Sequence, residues 1–183
     1  MIDLPGNISA PSFDSPLEML RACHGRIMDQ CSTLQKLLQH LPVHGCDVQA
    51  RQAAQAILRY FDTAGQFFHQ DEEVDLFPLL LATSSTEAHE LVIRLLGEHQ
   101  EMNAAWLRLR SSLQNIAEGR ISENQSALLE ESVVKTFSTA YAHHITLENA
   151  QLLPLAAQLL SKQQLHDLGR EMAARRGVSL ASR

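Results

Sequence analysis

A chain of 183 residues, 45% hydrophobic but only 5% aromatic, can bury one sizeable core, and its many Leu, Ala and Gln residues favour helices over sheets. The formal net charge of -6 gives a nucleic-acid role no electrostatic support, and no run nears the roughly 18 apolar residues of a membrane span. The opening MIDLPGN lacks the basic stretch and apolar core of a secretory signal, so a cytoplasmic location is expected; three cysteines (Cys23, Cys31 and Cys46) without a C-x-x-C pair argue against a disulfide framework or a thiolate zinc site and read as small buried residues.

In chain order, residues 1–14 read as an arm, with Pro5, Gly6 and Pro11 and no periodicity. A first helix starts at Ser15, with Pro16 suited to the first helical position. Leu17, Leu20, His24, Ile27, Cys31, Leu34, Leu38 and Leu41 follow an unbroken alternation of threes and fours, the seam of a bundle helix, before a break at Leu41-Pro42 and Gly45. A second helix is predicted from about 48 to 76, bent or ended by Pro78. Ser84 with Glu87 resembles a capping box for a third helix reaching about Gly119, whose seam is Val92, Leu95, His99, Met102, Trp106, Leu109, Leu113 and Ile116. Ser122 with Gln125 opens a fourth, running to about Leu153 before Pro154. A shorter fifth fits 161–176, closed by Gly177; its basic last turn, Arg175 and Arg176, suits the helix dipole and needs no functional explanation. The predicted fold is all-α: an antiparallel up-down four-helix bundle over 15–157, with an N-terminal arm and a C-terminal helix and tail over 158–183.

Histidine occupies seam positions that packing alone would give to leucine, and it does so twice. At an offset of 75 residues His24 maps onto His99, His69 onto His144 and Glu73 onto Glu148, with Leu20, Leu34 and Leu38 mapping onto Leu95, Leu109 and Leu113. Each H-x-x-x-E pair sets an imidazole and a carboxylate on one helical face, about 6 Å apart along the axis. Four imidazoles and two carboxylates aimed into one interior would be costly to desolvate without a metal. Two bridging carboxylates with imidazoles on either side suit a pair of first-row metals, and an oxygen and nitrogen ligand set favours iron or manganese over a soft-ligand site. The expected ligands are therefore His24, His69, Glu73, His99, His144 and Glu148. Glu72, Glu98 and Glu101, beside the motif residues, read as solvated helix charges ahead of a supporting role. The remaining histidines, His40, His44, His89, His143 and His166, do not fit the pattern. The chain contains no Glu-x-x-His, which removes a ferritin-like oxidase.

At these residues the chain resembles the hemerythrin-like family, in its HHE cation-binding branch, with Leu76-Phe77-Pro78 and Leu152-Leu153-Pro154 as further points of likeness. The resemblance implies two iron ions in a non-haem Fe–O–Fe type centre, with manganese or zinc as alternatives, and a small ligand such as oxygen, nitric oxide or peroxide. Oxygen-carrying members place a second histidine one turn after the first on the third helix, where this chain has Asn103, and tend to carry Asp near Glu148; reversible oxygen carriage is not expected. The pattern looks more like bacterial proteins linked to iron–sulfur repair and nitric oxide stress, although no room is expected for the Cys-bearing N-terminal domain that those often carry. Iron storage, donation or sensing without catalysis is the alternative. No nucleic-acid or membrane partner is expected, and the sequence leaves open whether the protein is an enzyme and whether it forms a homodimer.

Overall fold

The computed structural model describes residues 12–120 and 129–179, and every regular element among them is helical. The elements are α1 (Pro16–His44), α2 (Val48–Asp62), α3 (Ala64–Gln70), a π-helical turn (Asp71–Leu76), α4 (Phe77–Leu81), α5 (Thr86–Ala117), α6 (Glu131–Leu147), a second π-helical turn (Glu148–Leu152), α7 (Leu153–Leu159) and α8 (Lys162–Arg175). They form four rods and a fifth helix. α1 packs on α2, α2 on α5, α5 on α6, and α6 closes back on α1, the ring of an up-down bundle. The interior follows from the seams: Leu20, Ile27, Cys31, Leu34 and Leu41 of α1 and Val92, Leu95, Met102, Leu109, Leu113 and Ile116 of α5 are buried.

Several ends differ from expectation. α1 continues through Pro42 to His44, because the ring faces solvent in the last turn, and it stops at Gly45, whose φ of 67° suits a residue without a Cβ. Ser15 makes no side-chain cap. Ser85, not Ser84, caps α5, its hydroxyl accepting from the Ala88 N–H at 3.2 Å. The second rod is interrupted at Thr63 (φ -128°, ψ -82°). Ser122 and Gln125 lie outside the described residues. The capping box that does form joins Ser161 and Gln164 at the start of α8.

Both π-helical turns stand just before a proline. Phe77 N–H reaches back to the Glu72 carbonyl and Leu153 N–H to the Glu148 carbonyl, five residues each, immediately ahead of Pro78 and Pro154. The wider turn eases the proline ring past the preceding carbonyls, where a regular helix would meet a clash. α8 then lies across α1 and the first of these turns. Where Phe13 runs beneath it, a Cβ on Gly169 would collide with the Phe13 carbonyl oxygen, so only glycine allows that approach.

Candidate metal centre

At mid-height of the bundle, the rods bring together His24 from α1, Glu72 from the first π turn, His99 from α5, and His144 and Glu148 from the end of α6 and the second π turn; each is at most 3% exposed. Ligand atoms of Glu72, His99, His144 and Glu148 all lie within 4.8 Å of one another. Glu148 faces two ways: Oε1 is 3.0 Å from His144 Nε2, and Oε2 is 3.0 Å from His24 Nε2. Glu72 Oε2 approaches His99 Nε2 at 3.4 Å.

The outer ring nitrogens decide what the inner ones offer. His99 Nδ1–H donates to Glu73 Oε1 at 2.7 Å, and His144 Nδ1–H to Glu98 Oε2 at 2.8 Å. Carboxylates only accept, so in the neutral rings both protons sit on Nδ1 and both Nε2 atoms present lone pairs. Those two atoms face each other at 3.0 Å. His24 repeats the arrangement, with Nδ1 2.9 Å from Asn149 Oδ1. Among the described residues, His24 Nε2 and all four carboxylate oxygens of Glu72 and Glu148 have no hydrogen-bond partner. Converging buried acceptors repel one another unless a cation stands between them, and a histidine anchored through its other nitrogen is how proteins set a metal ligand. The residues fit a metal ion.

Protons compete for the same place. Burial alone would depress His144, but Glu148 and then Glu98 outweigh it and raise its pKa. Burial would lift Glu148, yet the imidazoles of His144 and His24 hold it well below the usual carboxylate range. Glu72, desolvated and beside Glu148, is pushed well above that range. Desolvation, then His144, lowers His99. The pocket thus calls for positive charge, from protons or from metal.

The structure assembles His24, His99, His144 and Glu148 of the expected set, and departs from it at the second rod. Glu73 points outward, its side chain 42% exposed, and supports His99 instead; the buried carboxylate is Glu72. The mapping at 75 residues fails here because the wide turns, not the histidines, keep the register: Glu72 and Glu148 each precede their proline by six residues, an offset of 76. Counting back from Pro78 and Pro154 would have found Glu72. His69 lies outside the four-residue group; its ring stacks on that of His99 with centroids 4.2 Å apart and on that of Tyr141 at 6.2 Å, and burial followed by the His99 and His144 charges pushes it down to about 3. Glu98 is a support for His144, not a solvated charge; burial would raise its acid, but hydrogen bonds from His144 and Arg94 prevail and lower it. Arg175 and Arg176 also do more than suit a dipole. Both bind the fully buried Asp71 next to Glu72, at 2.5 Å and 2.6 Å, and Arg175 also reaches Asp75 at 2.7 Å.

Comparison with known proteins agrees with this geometry. Residues 15–156 match the hemerythrin HHE cation binding domain. Over 167 residues the chain is 30% identical to an uncharacterized protein of Haemophilus influenzae, an alignment that spans 91% of this chain and 93% of that one. Among the described residues no helix is long and apolar enough to cross a membrane. A helical ring closed around His99, His144, Glu72 and Glu148, with a match over most of its length, places the chain in the hemerythrin HHE cation-binding family.

Proposed function

We propose that His24, Glu72, His99, His144 and Glu148 would hold iron, as two ions, and present it to a small ligand such as nitric oxide, peroxide or oxygen. The observation that carries this reading is the pair of bare Nε2 atoms of His99 and His144, 3.0 Å apart and each anchored behind by a carboxylate. Iron bound there supplies a redox couple and a Lewis acid.

The chain's own residues supply access. A depression of about 310 Å³, lined by Gln66, His69, Gln70, Glu73, His99, Gln100 and Asn103, opens between the second rod and α5 and reaches His99. Carboxamides dominate its rim, and Asn103 leaves more room than an imidazole would. His69, neutral at ordinary pH and with a buried, unpartnered Nε2, stands at its floor as a hydrogen-bonding group for an arriving ligand. The burial of the donors, each at most 3% exposed, favours retained iron over iron meant to be donated.

The test is iron content and absorption of protein purified without oxygen, then exposed separately to air, nitric oxide and peroxide. Bound iron with charge-transfer bands that shift under at least one of these is the expected result. Iron without any shift would overturn the ligand-binding reading, and protein that takes up no iron or manganese would overturn the centre itself.

A further inference from the structure

We propose that the two metal positions of this centre are built unequally: the one at His99 and His144 is complete and fills first, and the one at His24 lacks an imidazole because Phe68 occupies its place. The inference rests on the metal-centre reading above and adds an order of occupancy to it.

The two halves of the chain superimpose their chemistry residue by residue once the wide turns are used as the anchor. Glu72 corresponds to Glu148, and Pro78 to Pro154, at an offset of 76. At that offset the partner of His144 is Phe68, not His69. Phe68 is fully buried and meets the His24 ring edge-on at 5.2 Å, the counterpart of His99 against His144 at 4.7 Å. His69, one position on, is turned toward His99 and Tyr141 instead.

The supports differ in the same direction. His144 leans on Glu98; at the offset of 75 that relates His24 to His99, Glu98 corresponds to Cys23, so a histidine and its carboxylate in one half stand where the other has a phenylalanine and a buried thiol. His99 leans on the carboxylate of Glu73, whereas His24 leans on the neutral amide of Asn149, the residue that follows Glu148 as Glu73 follows Glu72. Carboxylate-backed imidazoles are better donors, and such outer partners change metal affinity by about 10- to 100-fold. One position therefore has two imidazoles backed by carboxylates plus Glu148 and Glu72; the other has one amide-backed imidazole plus whatever the glutamates share.

The experiment is titration of metal-free protein with cobalt(II), followed by calorimetry and by visible absorption. One equivalent is expected to bind tightly and a second at least about tenfold more weakly. Phe68→His is expected to tighten the second step and leave the first unchanged. Glu98→Gln, at a half-buried position on the bundle surface, is expected to weaken the first step alone by about 10- to 100-fold. Two equivalents of equal affinity in the native protein would overturn the inequality while leaving the metal centre standing. So would a folded Phe68→His with an unchanged second step, or Glu98→Gln weakening both steps alike. No cobalt bound at all would overturn the centre, and the inequality with it.

Discussion

The two wide turns that carry the buried glutamates have the same backbone register and are held in place by different means. The first is gripped from outside: Asp71 is buried under α8 and takes the guanidinium groups of Arg175 and Arg176, the latter also lying over the rings of Phe13 and Phe67. At the corresponding place before the second turn stands Leu147, buried against its neighbours, and Gln151, exposed, answers to Asp75. One glutamate is thus positioned by an ion-pair clasp from a fifth helix, and the other by apolar packing and the histidines that face it. The lesson is that an internal repeat can keep its backbone and change its fastenings. A buried carboxylate next to a metal ligand is tolerable only because two cations come with it.

The comparison breaks first at the glutamates themselves. Glu72→Ala and Glu148→Ala are each expected to lose at least one metal per chain, whereas Glu73→Ala keeps the metal and weakens it by about tenfold, as for an outer support; metal content after gel filtration separates these. Loss at Glu73 with retention at Glu72 would restore the simple H-x-x-x-E reading.

The fastenings come next. Asp71→Ala leaves two guanidinium groups without their buried partner, and about 3–5 kcal/mol of stability is expected to go, measured by urea unfolding of metal-free protein. Leu147→Ala at the matching place costs about 2–3 kcal/mol through the cavity it leaves. Equal costs would mean that the clasp stabilises no more than packing does. Gly169→Ala forces α8 away from the Phe13 carbonyl and is expected to cost about 1–3 kcal/mol, with the loss shared by Asp71→Ala in a double mutant because both act through α8.

The smallest effect is that of pH. His144 has a raised pKa in the metal-free fold, so its protonated pairing with Glu148 contributes in full below about 6.5, the unfolded value, and is lost as pH rises through the raised one. Metal needs that proton gone. The stability that bound metal adds is therefore expected to grow as pH rises toward that raised value, by up to about 1.4 kcal/mol per pH unit for one displaced proton, and to level off above it, read as a widening and then constant gap in melting temperature between loaded and metal-free protein. A gap independent of pH would show that His144 does not touch the metal.

Much of this was legible in the sequence. Seam periodicity located the first and third rods, capping and breaking residues placed the others, and His24 and His99 stood out at seam positions that packing would give to leucine, with His144 found through the H-x-x-x-E repeat. Glu72 was not legible from periodicity. A helix of constant pitch links His69 to Glu73, and only a wide turn, signalled by a proline rather than by any apolar pattern, carries the carboxylate of Glu72 inward. Glu98 and Asn149 are ordinary helix-surface residues by composition; their role appears only when another rod brings an imidazole to them. The clasp was hidden because Arg175 lies 104 residues from Asp71, a pairing that no local rule reads.

That separation bears on how the protein is made. At about 5–20 residues per second, a ribosome delivers Arg175 some 5 to 20 s after Asp71, so the turn bearing Glu72 leaves the ribosome long before its clasp exists. Burying Asp71 before its two arginines arrive would desolvate an unpaired carboxylate, so its burial is expected to follow theirs. Of the centre's two glutamates, the one translated first is therefore expected to be the one fastened last.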